Sequence, residues 1–383
     1  MEFKLESKKY KCTMEFNQKL TFIRGDSGQG KTELIRRLSS GSKSNTIITS
    51  NDFEVVVLTK QIFEQSYKFA LKHKNSDKTD LSFLKSYWNN SENFPYDNSI
   101  IFIDDEDFVK SHEFAVFYES DRSNYYVIIN RGDIPSLSYS VSEIYEFVSR
   151  GREHWIQRLY DYSLKTLPKI DEVIVEGIGS DYVFFSNLFK EKRVINPTTD
   201  NMMLGGGRSN VVTMLEKFHE RFRHRRLFLL IDYCAFGSDI DRLINVCENY
   251  GLEVFLNEQY LSFEFLLLKS NFIDDQSLDN FINKHVLEFA SLELLFTQRL
   301  FELTKDTYYR YDKSSSKFAE CYYKNCCIFG TDRFDCIIRK TKMKENKIFN
   351  MLNGTEFEYL LFLSSESFYT ISSDGDLKRS DYF

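Results

Sequence analysis

Apolar residues in the first part of the chain form short unbroken runs, separated by stretches with helical spacing. Four such runs lie at residues 20–23, 55–58, 100–103 and 126–129. Runs of this length without polar alternation are typical of strands buried on both faces, as in a parallel sheet covered by crossover helices. The pattern therefore predicts an α/β domain built on a mainly parallel sheet.

A second set of apolar runs begins near residue 171. Its members lie at residues 173–175, 227–231 and 253–256, with a helical pattern over 211–222. The pattern becomes helical over 278–303 and is then mixed to the end of the chain. We therefore predict a second α/β domain and a helical or mixed C-terminal region. The predicted boundaries are 1–165, 166–275 and 276–383.

Length and composition agree with several folded domains. The chain has 383 residues, with 36 Phe and 23 Tyr but only 4 Pro and 16 Gly. A single core rarely serves so long a chain, and so aromatic a composition excludes disordered and collagen-like structure. The formal net charge is −7. The chain is therefore not globally basic, and contact with nucleic acid would require local basic patches.

The N-terminal residues contain no apolar targeting segment, and the longest apolar runs are far too short to cross a bilayer. The 7 cysteines are an odd number in a chain with ample apolar residues, which favours reduced thiols over a disulfide framework. We therefore expect a cytoplasmic protein without a membrane partner.

A glycine-rich segment follows the first apolar run. Residues 25–32 satisfy the pattern G-x-x-x-x-G-K-[ST], with Gly25, Gly28 and Gly30 as its glycines. An amphipathic helical pattern follows. Backbone N–H groups at a helix N-terminus can receive the charges of a triphosphate, and glycines let the backbone approach them closely. We therefore predict a nucleotide-binding loop in which Lys31 contacts the β- and γ-phosphates and Thr32 ligates Mg²⁺.

An acidic cluster follows the run at 100–103. Asp104 is placed to hold Mg²⁺ through water, and Asp105 or Glu106 to orient an attacking water. The alternative interpretation of these residues is a solvated acidic loop. The next predicted strand ends at Asn130, where a polar residue can sense a γ-phosphate, although Asn at a strand end is also a common turn residue.

These segments together resemble the P-loop NTPase superfamily over about residues 15–150. The resemblance implies binding of a nucleoside triphosphate with Mg²⁺, and its hydrolysis. The sequence has no N-K-x-D motif of the kind that reads guanine, and no LSGGQ-like signature of ABC-type ATPases. We therefore expect ATP rather than GTP as the nucleotide.

A second group of carboxylates lies in the second predicted domain. Glu176 follows the predicted strand at 173–175, and Asp232 follows the one at 227–231. Carboxylates at the carboxyl tips of parallel strands stand where α/β sheets bind ligands, and such a site suits Mg²⁺ and a phosphodiester. The segment V-E-G-x-x-S-D at 175–181 resembles the opening of a Toprim domain, the metal-binding module of topoisomerases, primases and the OLD-type (overcoming lysogenization defect) nucleases. The resemblance implies that Glu176 and Asp232 are catalytic residues and metal ligands.

The second Toprim-like strand departs from the usual pattern. Such a strand normally ends in Asp-x-Asp, whereas this chain has Cys234 in place of the second Asp. A thiol is a poor ligand for Mg²⁺, which prefers carboxylate oxygen. Asp239 or Asp241 is placed to compensate from the next turn. A degenerate module that binds without cutting is the alternative.

Three further segments leave alternatives open. Residues 216–226 carry five basic and two acidic residues, which would attract phosphate near the proposed metal site or form a solvated helix end. The glycines at 205–207 would cradle a phosphate or form a flexible turn. Four cysteines match zinc spacing poorly, so buried free thiols are expected. These cysteines are Cys321, Cys326, Cys327 and Cys336.

The order of a P-loop domain and a Toprim-like domain resembles the OLD-type nucleases, which couple nucleotide binding to nucleic-acid cleavage and include proteins of antiphage defence and mobile elements. Our first hypothesis is an ATP-binding protein whose ATPase unit gates a Toprim-like, Mg²⁺-dependent domain acting on nucleic acid. The second is a nucleotide-dependent sensor or regulator whose module binds nucleic acid or a protein without cutting. A small-molecule kinase ranks third, since no acceptor-binding motif is visible. A homo-oligomer remains open, because many P-loop ATPases complete their sites with a neighbour's residue.

Overall fold

The computed structural model describes most of the chain, and it divides into two compact units. Unit 1 consists of Met1–Asp161 and Asp279–Leu295, and unit 2 of Tyr162–Leu278 and Phe296–Phe383. The three-part division made from the sequence stays a prediction. The described residues are 1–25, 29–40, 47–50, 52–75, 79–104, 107–163, 166–177, 180–198, 200, 207–305, 311, 347–364, 369–371 and 377–379.

Unit 1 is built on one large sheet. Its strands are β1 (Glu2–Ser7), β2 (Tyr10–Glu15), β3 (Leu20–Arg24), β4 (Ile47–Thr49), β5 (Glu54–Val57), β6 (Ser99–Asp104), β7 (Tyr125–Ile129), β8 (Ile144–Arg150) and β9 (Glu153–Arg158). Its first helices are α1 (Lys31–Ser40), α2 (Lys60–Lys72), α3 (Asp80–Trp88) and α4 (His112–Ser120). The strand order is β4-β1-β2-β9-β8-β3-β7-β6-β5.

The predicted parallel strands lie side by side at one end of this sheet. β8, β3, β7, β6 and β5 are joined by parallel pairings, and the apolar residues of β3, β6 and β7 are buried. After β3 the chain forms α1 and then β4 at the far edge of the mixed half. The next strand of the parallel half is β5, on one side of β3, whereas the connection after β7 leads to β8, on the other side of β3. Ligands of α/β sheets bind at the carboxyl ends of strands where the connections diverge in this way. In unit 1 that crevice lies beyond β3 and β7.

The other end of the sheet contains antiparallel pairings, which the sequence analysis did not predict. β1 pairs with β2 and with β4, and β8 pairs with β9, all antiparallel. One side of the β1–β2 hairpin faces the core, where Phe3, Leu5, Tyr10, Cys12 and Met14 are buried. The sheet is therefore mixed, with its parallel half next to the glycine-rich loop.

Unit 2 contains a smaller parallel sheet of four strands. The strands are β10 (Glu172–Val175), β11 (Arg193–Ile195), β12 (Arg226–Leu230) and β13 (Glu253–Phe255). The helices that follow them are α5 (Ser180–Leu188), α6 (Arg208–Lys217), α7 (His219–Phe222), α8 (Ile240–Tyr250) and α9 (Phe263–Lys269). The order is β11-β10-β12-β13, all parallel. Because the chain leaves β10 for β11 on one side and reaches β12 on the other, the connections diverge between β10 and β12.

The remaining elements are mostly helical. They are α10 (Leu278–His285), α11 (Leu292–Thr304), α12 (Lys347–Leu352), α13 (Tyr359–Ser364) and the antiparallel pair β14 (Tyr369–Ile371) and β15 (Leu377–Arg379). The helical pattern predicted over 278–303 is divided between α10 and α11. Over the described residues, no helix has the length and apolar character needed to cross a membrane. The α/β class is confirmed: the chain has one large, mostly parallel sheet, a second sheet, and helices.

Candidate nucleotide-binding and carboxylate sites

The glycine-rich loop connects β3 to α1 in unit 1, as predicted. Gly25 directly follows β3, and Gly30 directly precedes α1. Their φ angles are +134° and +94°, which L-residues with a side chain rarely adopt. The ε-ammonium of Lys31 donates a hydrogen bond to the carbonyl of Gly25 at 2.7 Å. The lysine therefore reaches back across the loop, which is the region where phosphates would bind.

Another predicted residue of this site, Asp104, lies at the same edge of the sheet. Asp104 is the last residue of β6, and it pairs with Ile129 of β7, which in turn pairs with Ile23 of β3. At about 4.8 Å per strand, the Cα atoms of Asp104 and Ile23 are roughly 10 Å apart. Thr32 is exposed in the first turn of α1. Gly28, Asp105 and Glu106 lie outside the described residues, so their predicted roles stay predictions.

Asn130 lies directly after β7, in the crevice beside the loop. Its backbone N–H donates to the carbonyl of Ile23 at 3.1 Å, and its side-chain oxygen accepts the N–H of Gly132 at 3.3 Å. The side chain is buried. These contacts are those of a turn residue, the alternative that the sequence left open, and they fix the spacing of β3 and β7 at their carboxyl ends.

A stacked pair of rings contacts the glycine-rich loop from the mixed half of the sheet. The rings of Tyr10 on β2 and His154 on β9 have centroids 4.1 Å apart and are inclined by 20°. The Tyr10 hydroxyl donates to the carbonyl of Gly30 at 3.2 Å, and a Cβ added at Gly30 would lie 3.0 Å from Cε1 of His154. Burial lowers the pKa of His154, which favours its neutral form. Sequence reasoning missed both residues because their contacts with the loop are distant in sequence.

In unit 2 the two predicted carboxylate residues are brought together. Glu176 directly follows β10, and Asp232 lies two residues beyond the end of β12. Oε2 of Glu176 accepts a hydrogen bond from the backbone N–H of Asp232 at 3.0 Å, and the backbone N–H of Glu176 donates to the carbonyl of Leu230 at 3.1 Å. Both residues thus lie where the connections of the small sheet diverge.

Asn196 fixes the backbone that carries Glu176, and sequence reasoning missed it. It directly follows β11 and is fully buried. Its amide nitrogen lies within hydrogen-bond distance of the carbonyls of Val175, Glu176 and Gly177, at 2.9, 3.2 and 2.6 Å. Its side-chain oxygen accepts the N–H of Thr198 at 2.9 Å. The neighbouring strand therefore supplies the contact that orients the glutamate.

Two further carboxylates belong to the same neighbourhood. Burial first, and then the negative charges of Asp232, Asp181, Glu264 and Glu176, raise the pKa of Tyr260 well above its usual value. Four carboxyl groups therefore lie close enough to act on one buried phenol. Asp181 packs against Gly177 so closely that an added Cβ there would lie 1.9 Å from its Oδ2. The buried Glu264 accepts a hydrogen bond from the hydroxyl of Tyr311.

Three residues bear on the missing second Asp of the Toprim-like pattern: Cys234, which stands in its place, and Asp239 and Asp241, which follow it. Cys234 is fully buried, in a short 3-10 turn that follows Asp232. Asp239 accepts a hydrogen bond from Ser209 at 2.9 Å and pairs with Arg208 at 3.4 Å, where α6 begins. Its carboxylate thus stabilises this helix start. Asp241 lies in the first turn of α8.

The basic stretch at 216–226 lies away from the carboxylates. Of the two interpretations that the sequence left open, a patch beside the metal site therefore does not fit, whereas a solvated helix end stays open. It ends at Arg226, the first residue of β12, whereas Asp232 lies beyond the last residue of that strand. At about 3.3 Å per residue, the six steps between them span roughly 20 Å. The glycines at 205 and 206, and Cys321, Cys326, Cys327 and Cys336, lie outside the described residues.

The donor atoms available for a cation can be compared with the needs of Mg²⁺. No group of three or more His, Cys, Asp or Glu side chains suited to one metal ion exists in the part of the chain that the structure describes. Glu176 and Asp232 offer two carboxylates. Mg²⁺ is commonly bound through one or two carboxylates, with waters and substrate phosphate completing its octahedron. The residues therefore fit an Mg²⁺ ion that is bound together with a phosphodiester.

No family model, curated protein or solved structure matches this chain.

Proposed function

We propose that unit 1 binds ATP at its glycine-rich loop, and that unit 2 acts on nucleic acid with Mg²⁺ held by Glu176 and Asp232. The observation that carries the second part is the 3.0 Å hydrogen bond between Oε2 of Glu176 and the backbone N–H of Asp232. Two carboxylates from neighbouring parallel strands thus occupy the position where α/β sheets bind ligands. This proposal keeps the P-loop and Toprim-like interpretation and its resemblance to the OLD-type nucleases.

The loop's geometry supports nucleotide binding in unit 1. Its two described glycines adopt conformations that other residues avoid, and the Lys31 ammonium bonded to Gly25 can exchange that carbonyl for phosphate oxygens. Thr32 and Asp104 would hold Mg²⁺, and Asp105 or Glu106 would orient the water that attacks the γ-phosphate. Nucleotide turnover would then gate unit 2 by favouring one of its states.

In unit 2 the bound cation would supply positive charge at a phosphodiester oxygen. The chain's own residues do the positioning. Asn196 fixes the backbone of Glu176, and the Glu176 carboxylate fixes the turn that carries Asp232. These contacts hold Glu176 and the backbone of Asp232 at the same edge of the small sheet before any ligand arrives.

Two assays test this proposal. Lys31→Ala should lose most of its ATP affinity, and unchanged binding would refute the P-loop assignment. Purified protein should cleave plasmid, single-stranded DNA or RNA with Mg²⁺ or Mn²⁺ under at least one nucleotide condition. Glu176→Gln should not cleave, although its side-chain oxygen can still accept the Asp232 N–H.

A nucleotide-dependent regulator with a non-cleaving module is the second candidate. The buried thiol of Cys234 favours it, and so does the pairing of Asp239 with Arg208, because neither residue replaces the second Asp of a Toprim-like site. This candidate predicts nucleic-acid or protein binding without cleavage under every nucleotide and metal condition.

A further inference from the structure

The basic segment (residues 217–225) of unit 2 combines exposed cations with an exposed aromatic ring. Lys217, Arg223 and Arg225 are exposed, and none of them has an ion-pair partner within the described part of the chain. Phe218 leaves 38% of its surface in solvent, between helices α6 and α7. The segment therefore presents three positive charges, the carboxylate of Glu220 and one apolar ring to the outside.

Neighbouring arginines show a different arrangement. Arg226 makes hydrogen bonds to the carboxylate of Asp171 at 3.1 and 3.3 Å, and Arg242 donates to Glu216 at 2.6 Å. Unit 2 thus pairs arginines with carboxylates immediately beside the basic segment. Arg225 lies close enough to Asp171 to help lower the pKa of that carboxyl, but no hydrogen bond or ion pair joins the two. In a chain with a net charge of −7, three exposed cations within nine residues form a local field that attracts an anion.

We propose that the basic segment binds a single strand of nucleic acid, with Arg223, Arg225 and Lys217 on its phosphates and Phe218 against a base. Cationic side chains beside an exposed aromatic ring are the combination by which proteins bind single strands without reading sequence. If the partner were an acidic protein surface, its carboxylates would pair with the three cations, but the Phe218 ring would have no specific contact. The inference rests on the proposed function of unit 2, to which it adds the form of the substrate.

The position of the segment sets a minimum substrate length. It precedes β12, and Asp232 follows that strand, so the two sites are separated by roughly 20 Å. A strand stacked as in a duplex advances about 3.4 Å per nucleotide along its axis, so bridging this distance takes about six stacked nucleotides, and fewer in an extended strand. Shorter substrates can occupy the carboxylates without contacting the basic segment.

Fluorescence anisotropy with a labelled oligothymidylate of about 20 nucleotides, in EDTA and between about 50 and 200 mM salt, tests the inference. The double variant Arg223→Ala/Arg225→Ala should weaken binding, and its slope of log K against log salt should be less negative by about 1.4, since each lost phosphate contact removes about 0.7. Phe218→Ala should lower affinity about 5- to 150-fold with the slope unchanged, because base stacking is not ionic.

A matched control removes the same charge elsewhere. Lys60→Ala/Lys72→Ala takes two exposed lysines from α2 of unit 1, and it should leave affinity and slope unchanged. An unchanged slope in the Arg223/Arg225 variant, or an equal change in the lysine control, overturns the inference. Because EDTA removes divalent cations, binding in this assay does not require a cation at Glu176 and Asp232. Loss of cleavage with intact binding would therefore concern the carboxylate site alone.

Discussion

Glu176 accepts the backbone N–H of Asp232 at 3.0 Å, so the carboxylate that follows one parallel strand fixes the turn that follows its neighbour. The two residues are 56 positions apart in sequence, yet they meet because β10 and β12 are adjacent and end at the same edge. This contact links the topology of the small sheet to its chemistry.

Asn196→Asp should destabilise unit 2 by about 2–4 kcal/mol, because a carboxylate would replace the amide that faces the carbonyls of Val175, Glu176 and Gly177. Urea unfolding followed by circular dichroism measures the loss. Asn245→Asp, on the exposed side of α8, makes the same chemical change without buried partners and should shift stability by less than about 0.5 kcal/mol. Equal unfolding midpoints for the two variants would show that Asn196 does not hold this backbone.

Gly30→Ala should reduce both stability and ATP affinity. A φ of +94° strains any residue with a side chain, and the new Cβ would lie 3.0 Å from the ring of His154. We expect a loss of about 1–3 kcal/mol in stability. Both tryptophans, at positions 88 and 155, are in unit 1, so their fluorescence reports its unfolding.

The matched control for Gly30→Ala is Gly132→Ala, where nothing lies within 4 Å of an added Cβ. It should leave stability nearly unchanged. His154→Ala in the Gly30→Ala background should recover the steric part of the loss but not the part due to φ. If the double variant recovers nothing, His154 does not restrict this position.

The buried Lys19 should make the stability of unit 1 depend on pH. Its ammonium donates to the carbonyls of Tyr118 and Asp121 at 3.0 and 2.6 Å, and burial lowers its pKa to about 7 from a usual 10.5. Between these values the unfolded chain holds a proton that the folded chain has released. The Lys19 contribution to the free energy of unfolding therefore rises with pH from about 7 to 10.5.

Lys19→Met removes this contribution while keeping a long unbranched side chain. The urea midpoint of the tryptophan signal, compared at pH 7, 8 and 9, should rise more steeply with pH in the wild type than in the variant. Parallel pH profiles would mean that Lys19 keeps its proton when buried.

Local sequence patterns were sufficient to predict the parallel strands at the centre of unit 1 and the glycine-rich loop that follows β3. The apolar runs at β3, β6 and β7 and the glycine pattern before Lys31 each specify structure over a few neighbouring residues. The β1–β2 hairpin also carried a usable signal, because buried and less buried residues alternate along β2. The apolar runs alone do not show this alternation, so the mixed half of the sheet does not follow from them.

The local sequence patterns did not predict contacts between residues that are far apart in the chain. Nothing near Asn196 indicates that its amide will meet the carbonyl of Val175, and nothing near Tyr10 indicates that it will stack on His154. For a related reason, the sequence could not show that the basic stretch lies away from the carboxylates. Residues 226 and 232 are close in sequence, but an extended strand separates its two ends by far more than a helix of equal length.

Binding of Mn²⁺ to the nucleotide-free protein tests the central claim most directly, because it asks whether Glu176 and Asp232 hold a divalent cation at all. Calorimetric titration should show a site whose affinity falls at least about tenfold in Glu176→Gln and in Asp232→Asn, since even the loss of a group that only hydrogen-bonds a metal ligand lowers affinity about 10- to 100-fold. Glu248→Gln, an exposed substitution on α8, should bind like the wild type. Identical Mn²⁺ affinity in all four proteins would contradict the account.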